Sequence, residues 1–316
     1  KPCFNLPALL RDSDIRTLFK RIAPGVLGAG IYQINMVVDT IIVSLVGTGA
    51  ISWLYYANRL QQLPLGVVGA AISVALLPIL SHHLKAEALK EAEHTQNKAV
   101  EYGAMLSVPA AVALIVLAVP TINILFQHGK FGALQTAMTA QAVIAYAVGL
   151  PAYVLVKALA PNFFARGDTR TPVKYSIVVL FTNLAFSLLL MKPFGHVGIA
   201  AATTIAAFVS LYQYCHGLKK RGYWQFSEEL RCKIYKIIAS SLVMGGVLWL
   251  GTTVFDILLD GWLRQALLIK LGIFGFLCVL GVASFGIMTK ITGVLDTAEI
   301  RRLLSRKGKK DAKNTA

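Results

Sequence analysis

The chain has 316 residues, of which 56% are hydrophobic and only 15% are charged. A typical soluble domain carries about 25% charged and about 45–50% apolar residues, so this composition excludes an ordinary soluble fold. The formal net charge of +16 would suit a nucleic-acid-binding protein. The lysines and arginines lie between long uncharged runs and in the tail, however, which argues against nucleic acid as a partner.

Long uncharged runs divide the chain into eight predicted membrane spans. A hydrocarbon core about 30 Å thick requires roughly 20 apolar residues in a helix. Backbone polar groups in lipid must be paired within their own segment, which favours helices. In chain order, the spans are predicted at 20–47, 51–80, 98–126, 137–164, 173–191, 196–216, 234–257 and 264–289. The sequence therefore predicts an all-α, polytopic transmembrane helical bundle.

The positions of Lys and Arg predict which side of the membrane each connection faces. Most of the 31 cations fall before the first span, in alternate connections and after the last span. The other side of the membrane has only Lys130, Lys192, Arg264 and Lys270. Under the positive-inside rule, this asymmetry places both termini in the cytoplasm.

No catalytic motif is visible in the spans. HExxH, GxSxG, Walker A and paired Cys/His patterns are absent from the sequence, and the four cysteines show no CxxC spacing. An enzyme is therefore disfavoured, and no cofactor is expected. The informative residues are the ionisable groups that lie inside predicted spans.

Arg59 lies inside the second predicted span, where an arginine costs at least about 2.5–3.5 kcal/mol unless it faces a cavity or a partner. Helical spacing places it on one stripe of polar and then small residues, which comprises Ser52, Tyr55, Gln62, Gly66, Gly69 and Ser73. A guanidinium suits phosphate oxygens because its planar fork binds them bidentately. We interpret Arg59 as an anion ligand, with snorkelling to the interface as the alternative.

Asp39 is the only acid well inside a span, and three interpretations stay open. It forms an ion pair with Arg59, it holds a cation such as Na⁺ with uncharged oxygens, or it is an acid lined by water. The candidate oxygen donors on later spans are Asn183, Ser187 and Thr203.

Two further cations were considered as site residues. Lys157 lies nearer the cytoplasmic end of its span, so a functional position and snorkelling to the interface both stay open. Arg166 lies in a predicted cytoplasmic turn, where its charge is expected among lipid headgroups.

Several segments together resemble the MurJ/MviN family of lipid II flippases, and the likeness covers nearly the whole chain. They are SWLYYANRL at 52–60, PLGVVG at 64–69 and LPILS at 77–81, followed by FQHGKF at 126–131, KALAP at 157–161, FARGD at 164–168 and TPVK at 171–174. Members of that family are similar to multidrug and oligosaccharidyl-lipid exporters, with two six-helix lobes around a central cavity and two extra helices. The resemblance implies that this chain holds the second lobe and the extra pair.

The resemblance also implies a division of the chain. Because the first residue is Lys1 rather than Met, we expect a fragment whose partner is a missing N-terminal lobe. The segments are 1–19, a cytoplasmic N-terminal segment; 20–216, the six-helix lobe; 217–233, a cytoplasmic loop; 234–293, the extra pair with a groove for a lipid tail; and 294–316, a basic cytoplasmic tail.

The function implied by the resemblance is the flipping of lipid II, the undecaprenyl-diphosphate-linked peptidoglycan precursor, between leaflets by alternating access. Arg59 matches a cavity arginine that is thought to hold the diphosphate, and Ser52, Asn58 and Gln62 are the accompanying substrate-binding candidates. The alternatives are an exporter of drugs or other lipid-linked oligosaccharides, and a non-transporting membrane scaffold for cell-wall synthesis.

Some relatives have a cation site in the second lobe. By resemblance, Asp39, Asn183 and Thr203 would hold Na⁺ here, with membrane potential as the other means of coupling. Ser187 stands where a second acid is expected, which departs from the family pattern.

Overall fold

The computed structural model describes residue 30 and residues 33–294. The predicted segment 1–19, the start of the first span and residues 295–316 of the predicted tail lie outside the described residues. Within the described part, short connections join helices, and six helices are long and apolar enough to cross a membrane. The predicted all-α membrane fold is confirmed.

The helices follow the predicted spans closely. They are α1 (Gln33–Ser44), α2 (Ala50–Pro64), α3 (Ala70–Lys85), α4 (Leu89–Val116), α5 (Ala118–Phe126), α6 (Ala133–Ala165), α7 (Arg170–Lys220), α8 (Glu228–Leu258) and α9 (Leu267–Ile291). A π-helical turn, Leu65–Gly69, joins α2 to α3, next to Pro64. Leu117 alone separates α4 from α5. The second and third predicted spans are thus each interrupted once.

Helix α7 consists of two antiparallel arms, so it accounts for the predicted spans 173–191 and 196–216. The arms meet at Gly195, whose φ of 57° and ψ of −132° are open to glycine because it lacks a Cβ. The turn is tight, since a Cβ on Gly198 would lie 2.2 Å from the carbonyl oxygen of Leu190. At the other ends of the arms, the rings of Tyr175 and Tyr214 lie 5.2 Å apart.

The connections gather at two ends of the bundle. At one end, which we call the basic end, the connections 166–169 and 221–227 meet the start of α4. There Asp168 pairs with Arg221, and Trp224 Nε1 donates to Asn97 Oδ1 at 2.5 Å. At the opposite end, which we call the far end, Trp53 at the start of α2 contacts His196, with ring centroids 5.0 Å apart.

The α8–α9 pair packs on α4 and α5 and is fixed at both ends. Its apolar contact is centred on Leu117, Met244, Leu248, Trp262, Ile273 and Leu277. Near the basic end, Lys233 Nζ donates to Glu101 Oε2 at 3.2 Å. Near the far end, Lys270 Nζ donates to Asn123 Oδ1 at 3.0 Å. Helix α7 continues to Lys220 and α8 begins at Glu228, so parts of the predicted loop 217–233 are helical.

Candidate functional site

A polar chamber of about 350 Å³ lies between α1, α2, α6 and the second arm of α7. The described residues that line it are Asn35, Met36, Asp39, Asn58, Gln61, Gln62, Leu65, Tyr146, Tyr153, Lys157 and Thr203. Five of the site residues predicted from sequence therefore line one chamber, namely Asp39, Asn58, Gln62, Lys157 and Thr203. A hydrogen bond joins α2 to α6 in the chamber wall, because the buried Gln61 donates through Nε2 to the Tyr146 carbonyl oxygen at 2.9 Å.

Arg59 is exposed on α2, and among the described residues its hydrogen-bond partners are neutral groups of its own helix. Its Nη1 donates to Gln62 Oε1 at 3.2 Å, and its Nη2 donates to the Tyr55 hydroxyl at 3.1 Å. Gln62 in turn donates through Nε2 to Asn58 Oδ1 at 2.9 Å. Within residues 33–294 no carboxylate pairs with the guanidinium, and this network connects it, through Gln62 and Asn58, to the edge of the chamber.

The carboxylate of Asp39 is bonded to amides and not to Arg59, which contradicts the ion-pair interpretation of this acid. Its Oδ1 accepts from Asn183 Nδ2 at 2.6 Å, and its Oδ2 accepts from Asn35 Nδ2 at 3.3 Å. Asn183 Nδ2 also lies 3.1 Å from Asn35 Oδ1. The predicted neighbourhood of Asp39 and Asn183 is present, although the residues are 144 positions apart.

The same geometry tests whether these residues fit a cation. Na⁺ would require oxygen ligands, but both carboxylate oxygens of Asp39 face amide nitrogens. Thr203 lines the chamber, and its hydroxyl donates to the Ile199 carbonyl oxygen at 3.0 Å. A half-turn of the Asn183 amide would present its oxygen instead of its nitrogen. The residue types therefore fit a cation only after that turn, and the described arrangement is a hydrogen-bonded carboxylate.

The Lys157 side chain reaches the chamber across the π-helical turn. A Cβ on Gly69 would lie 2.6 Å from Lys157 Cδ, so the absence of a side chain at Gly69 makes room for the lysine stem. The side chain is exposed and lines the same chamber as Asp39, and both interpretations of Lys157 stay predictions.

Ser52 and Arg166 lie away from the chamber. Ser52 lines a separate cleft at the far end of the bundle. At the basic end, the Arg166 guanidinium lies 4.0 Å from the Tyr223 ring centroid, and its Nε donates to Asn162 Oδ1 at 3.0 Å. Burial lowers the pKa of Arg166, and Tyr223 partly offsets this. Arg166 is thus half-buried and packed against Tyr223 and Asn162.

Sequence reasoning missed Asn35, Gln61, Tyr146 and Tyr153. Asn35 was recognisable, because it lies four residues before Asp39 and so shares its helix face. Gln61 was a further uncharged polar residue in an apolar span. No sequence signal distinguished the two tyrosines from ordinary core aromatics.

Comparison with known proteins gives one consistent result. A family model described as lipid II flippase MurJ matches residues 5–264. A protein of Rhizobium tropici named as a probable lipid II flippase MurJ is 37% identical over 294 residues, which are 93% of this chain and 55% of that protein. A solved lipid II flippase MurJ in an inward closed conformation matches with a TM-score of 0.72 and 26% identity, covering 87% of this chain and 54% of that one.

A multidrug resistance MATE family transporter of the MOP superfamily, solved in an outward-facing conformation, shares the fold. The TM-score is 0.56 at 14% identity, with 87% of this chain and 63% of that chain covered. This likeness concerns the fold alone. The chain spans about half the length of the first two flippases that it matches.

Proposed function

The chain belongs to the lipid II flippase MurJ family, and on that basis we propose that it forms the second half of a transporter that moves lipid II across a membrane. The observation that carries this proposal is the guanidinium of Arg59, which is exposed on an apolar helix beside a polar chamber and has no carboxylate partner in the part of the chain that the structure describes. The diphosphate of a lipid-linked precursor is an anion that this guanidinium suits.

In this mechanism the two halves rock to open the cavity to each side of the membrane in turn. Arg59 binds the diphosphate and offsets the loss of its hydration, which is the main barrier to crossing. Gln62 accepts a hydrogen bond from the guanidinium and donates one to Asn58, so both residues orient the arginine. Ser52 extends the same helix face toward the far end.

The proposed topology follows the basic residues. The basic end faces the cytoplasm of a bacterial cell and the far end faces the periplasm, with both chain termini cytoplasmic and the protein in the inner membrane. Residues 20–216 form the transport lobe, and residues 234–293 form a groove for the lipid tail. The partner of the lobe is the N-terminal half of the transporter.

Asp39 is the proposed coupling residue, driven by Na⁺ or by the membrane potential. If Na⁺ is bound, Asn183 and Thr203 would hold it together with Asp39 after the Asn183 amide turns. Replacing Na⁺ with choline at constant membrane potential distinguishes coupling to Na⁺ from coupling to the potential. Loss of flipping in choline supports Na⁺, and unchanged flipping supports the potential.

The test of function is complementation in cells depleted of their own lipid II flippase. The full-length gene is supplied as wild type, as Arg59→Ala, and as Arg231→Ala, an exposed arginine of α8 that serves as the matched control. We expect growth with the wild type and with Arg231→Ala, and no growth with Arg59→Ala at equal membrane abundance. Growth supported by Arg59→Ala would refute the role of Arg59.

A drug exporter is the second candidate, because the same arrangement of helices occurs in a multidrug transporter. The two functions separate in vesicles that contain the purified full-length protein. Movement of lipid II supports the flippase, whereas drug transport without lipid II movement supports the exporter. If a well-expressed wild type neither complements nor transports, a scaffold for cell-wall synthesis becomes the better interpretation.

A further inference from the structure

A second cleft, of about 610 Å³, lies at the far end between the start of α2 and the connection 127–132, and it shares no lining residue with the polar chamber. Its walls combine two kinds of side chain. The aromatic members are Trp53, Tyr56, Phe126 and Phe131, and the polar members include Thr48, Ser52, His128, Lys130 and Gln135.

The aromatic wall is held in place by contacts among its own rings. The Tyr56 ring centroid lies 4.7 Å from that of Phe126 and 5.5 Å from that of Phe131. The Trp53 ring covers Gly49, where a Cβ would lie only 2.9 Å from the indole. Because these rings support one another, the wall presents a fixed apolar surface to whatever occupies the cleft.

The same cleft also supplies hydrogen-bonding groups. Gln135 Oε1 accepts from the Gly132 backbone N–H at 3.0 Å, which orients the amide and leaves its NH₂ group as a donor. Ser52 and Lys130 are exposed and line the same cleft. A fixed aromatic surface combined with several donors in one cleft suits a ligand that has both an apolar face and hydroxyl groups, which describes a sugar ring. The cavity volume is within the usual range for small-ligand sites.

The position of Ser52 connects this cleft to the proposed anion site. Ser52 and Arg59 lie two helical turns apart on the same face of α2, which corresponds to about 10 Å along the axis. A diphosphate bound at Arg59 would therefore place the sugar attached to it within reach of the cleft. An acyl chain would bury the cleft's polar groups without partners, so a saccharide fits this site better than a lipid tail does.

We propose that the far-end cleft binds the saccharide attached to the diphosphate of the lipid-linked substrate. The identity of this ligand rests on the proposed function, whereas the chemistry of the cleft does not. The cleft would select substrates that carry sugar over the bare carrier lipid, and Arg59 would bind the anion that both have in common.

The experiment measures the affinity of the full-length protein in lipid nanodiscs for lipid II and for undecaprenyl diphosphate, which lacks the sugar. We expect the wild type to prefer lipid II, and Phe131→Leu, which removes the flat ring but keeps an apolar side chain, to reduce that preference about tenfold. Arg59→Ala should weaken both ligands and keep their ratio. Phe226→Leu, at the basic end, is the matched control and should change neither affinity.

Two results would overturn the proposal. One is a wild type that binds both lipids equally, and the other is a folded Phe131→Leu protein that keeps the full preference for lipid II. If the wild type binds neither lipid, the proposed function fails and the free N-acetylglucosamine–N-acetylmuramic acid disaccharide becomes the probe. Binding of the disaccharide that is lost in Phe131→Leu would still support the cleft, and absence of binding would reject it.

Discussion

Lys233 bonds two carboxylates that differ sharply in burial, which allows a matched test of how α8 is held against α4. Its Nζ lies 3.2 Å from Glu101 Oε2 and 3.1 Å from Glu229 Oε1, and these side chains are 8% and 80% exposed. Breaking a buried ion pair costs about 3–5 kcal/mol, whereas an exposed i,i+4 pair contributes about 0.3–0.5 kcal/mol. Lys233 is itself 25% exposed, so water partly compensates for the loss of Glu101.

We therefore expect Glu101→Gln to lower the free energy of unfolding by about 2 kcal/mol, and Glu229→Gln to lower it by less than about 0.5 kcal/mol. Lys233→Met should cost more than Glu101→Gln, because it leaves a buried carboxylate without a partner. Adding Glu101→Gln to Lys233→Met should recover most of that loss. Denaturant titration of the purified protein in detergent measures each value. Equal losses for the two glutamate variants, or no recovery in the double variant, would refute the reasoning.

Two further predictions concern the arms of α7 and the basic end. Gly198→Ala should destabilise the protein by several kcal/mol, as an overpacked core substitution does, because its Cβ would overlap a backbone carbonyl. A Cβ on Gly246 would have nothing within 4 Å, so Gly246→Ala should be neutral or mildly stabilising. Thermal melts of the two variants compare these effects. Although burial raises the pKa of Asp168, hydrogen bonds from Thr171 and Arg221 outweigh it and lower that pKa below its ordinary value. The stability that the ionised Asp168 contributes is fully present above the unfolded pKa of about 4 and is lost as pH falls through the folded pKa. The melting temperature of Asp168→Asn should therefore depend less on pH in the acid range than that of the wild type.

Hydropathy predicted most of the fold because each span must supply about 20 apolar residues to cross the membrane. The two arms of α7 were separated correctly, since Lys192 and Gly195 interrupt the apolar run between them. The irregularity near Pro64 was foreseeable from the proline and from Gly66. The break at Leu117 was not, because leucine is a good helix former and the break depends on packing rather than on propensity.

The site was harder to predict than the fold, because helix rotation is set by packing and not by hydropathy. Nothing in composition or spacing brings Asp39 to within hydrogen-bonding distance of Asn183. Asn183 was one of three uncharged oxygen donors proposed on later spans, and the family resemblance supported that grouping. The local network of Arg59, Gln62 and Asn58 was accessible from sequence, since residues three and four apart meet on a helix face. The position of Ser52 in a separate cleft was not accessible, because it depends on where the connection 127–132 folds.

The exposure of Arg59 has a physical consequence for the surface of α2. Its two hydrogen-bond acceptors, the Tyr55 hydroxyl and the Gln62 amide, are neutral, so they orient the guanidinium without cancelling its charge. A charge in the middle of an apolar helix is stable only where water, protein or an anion reaches it. The face of α2 that carries Arg59 must therefore border water or protein rather than lipid. In the proposed transporter, an anionic substrate would meet a guanidinium that is already oriented and that forms no ion pair with a carboxylate of residues 33–294.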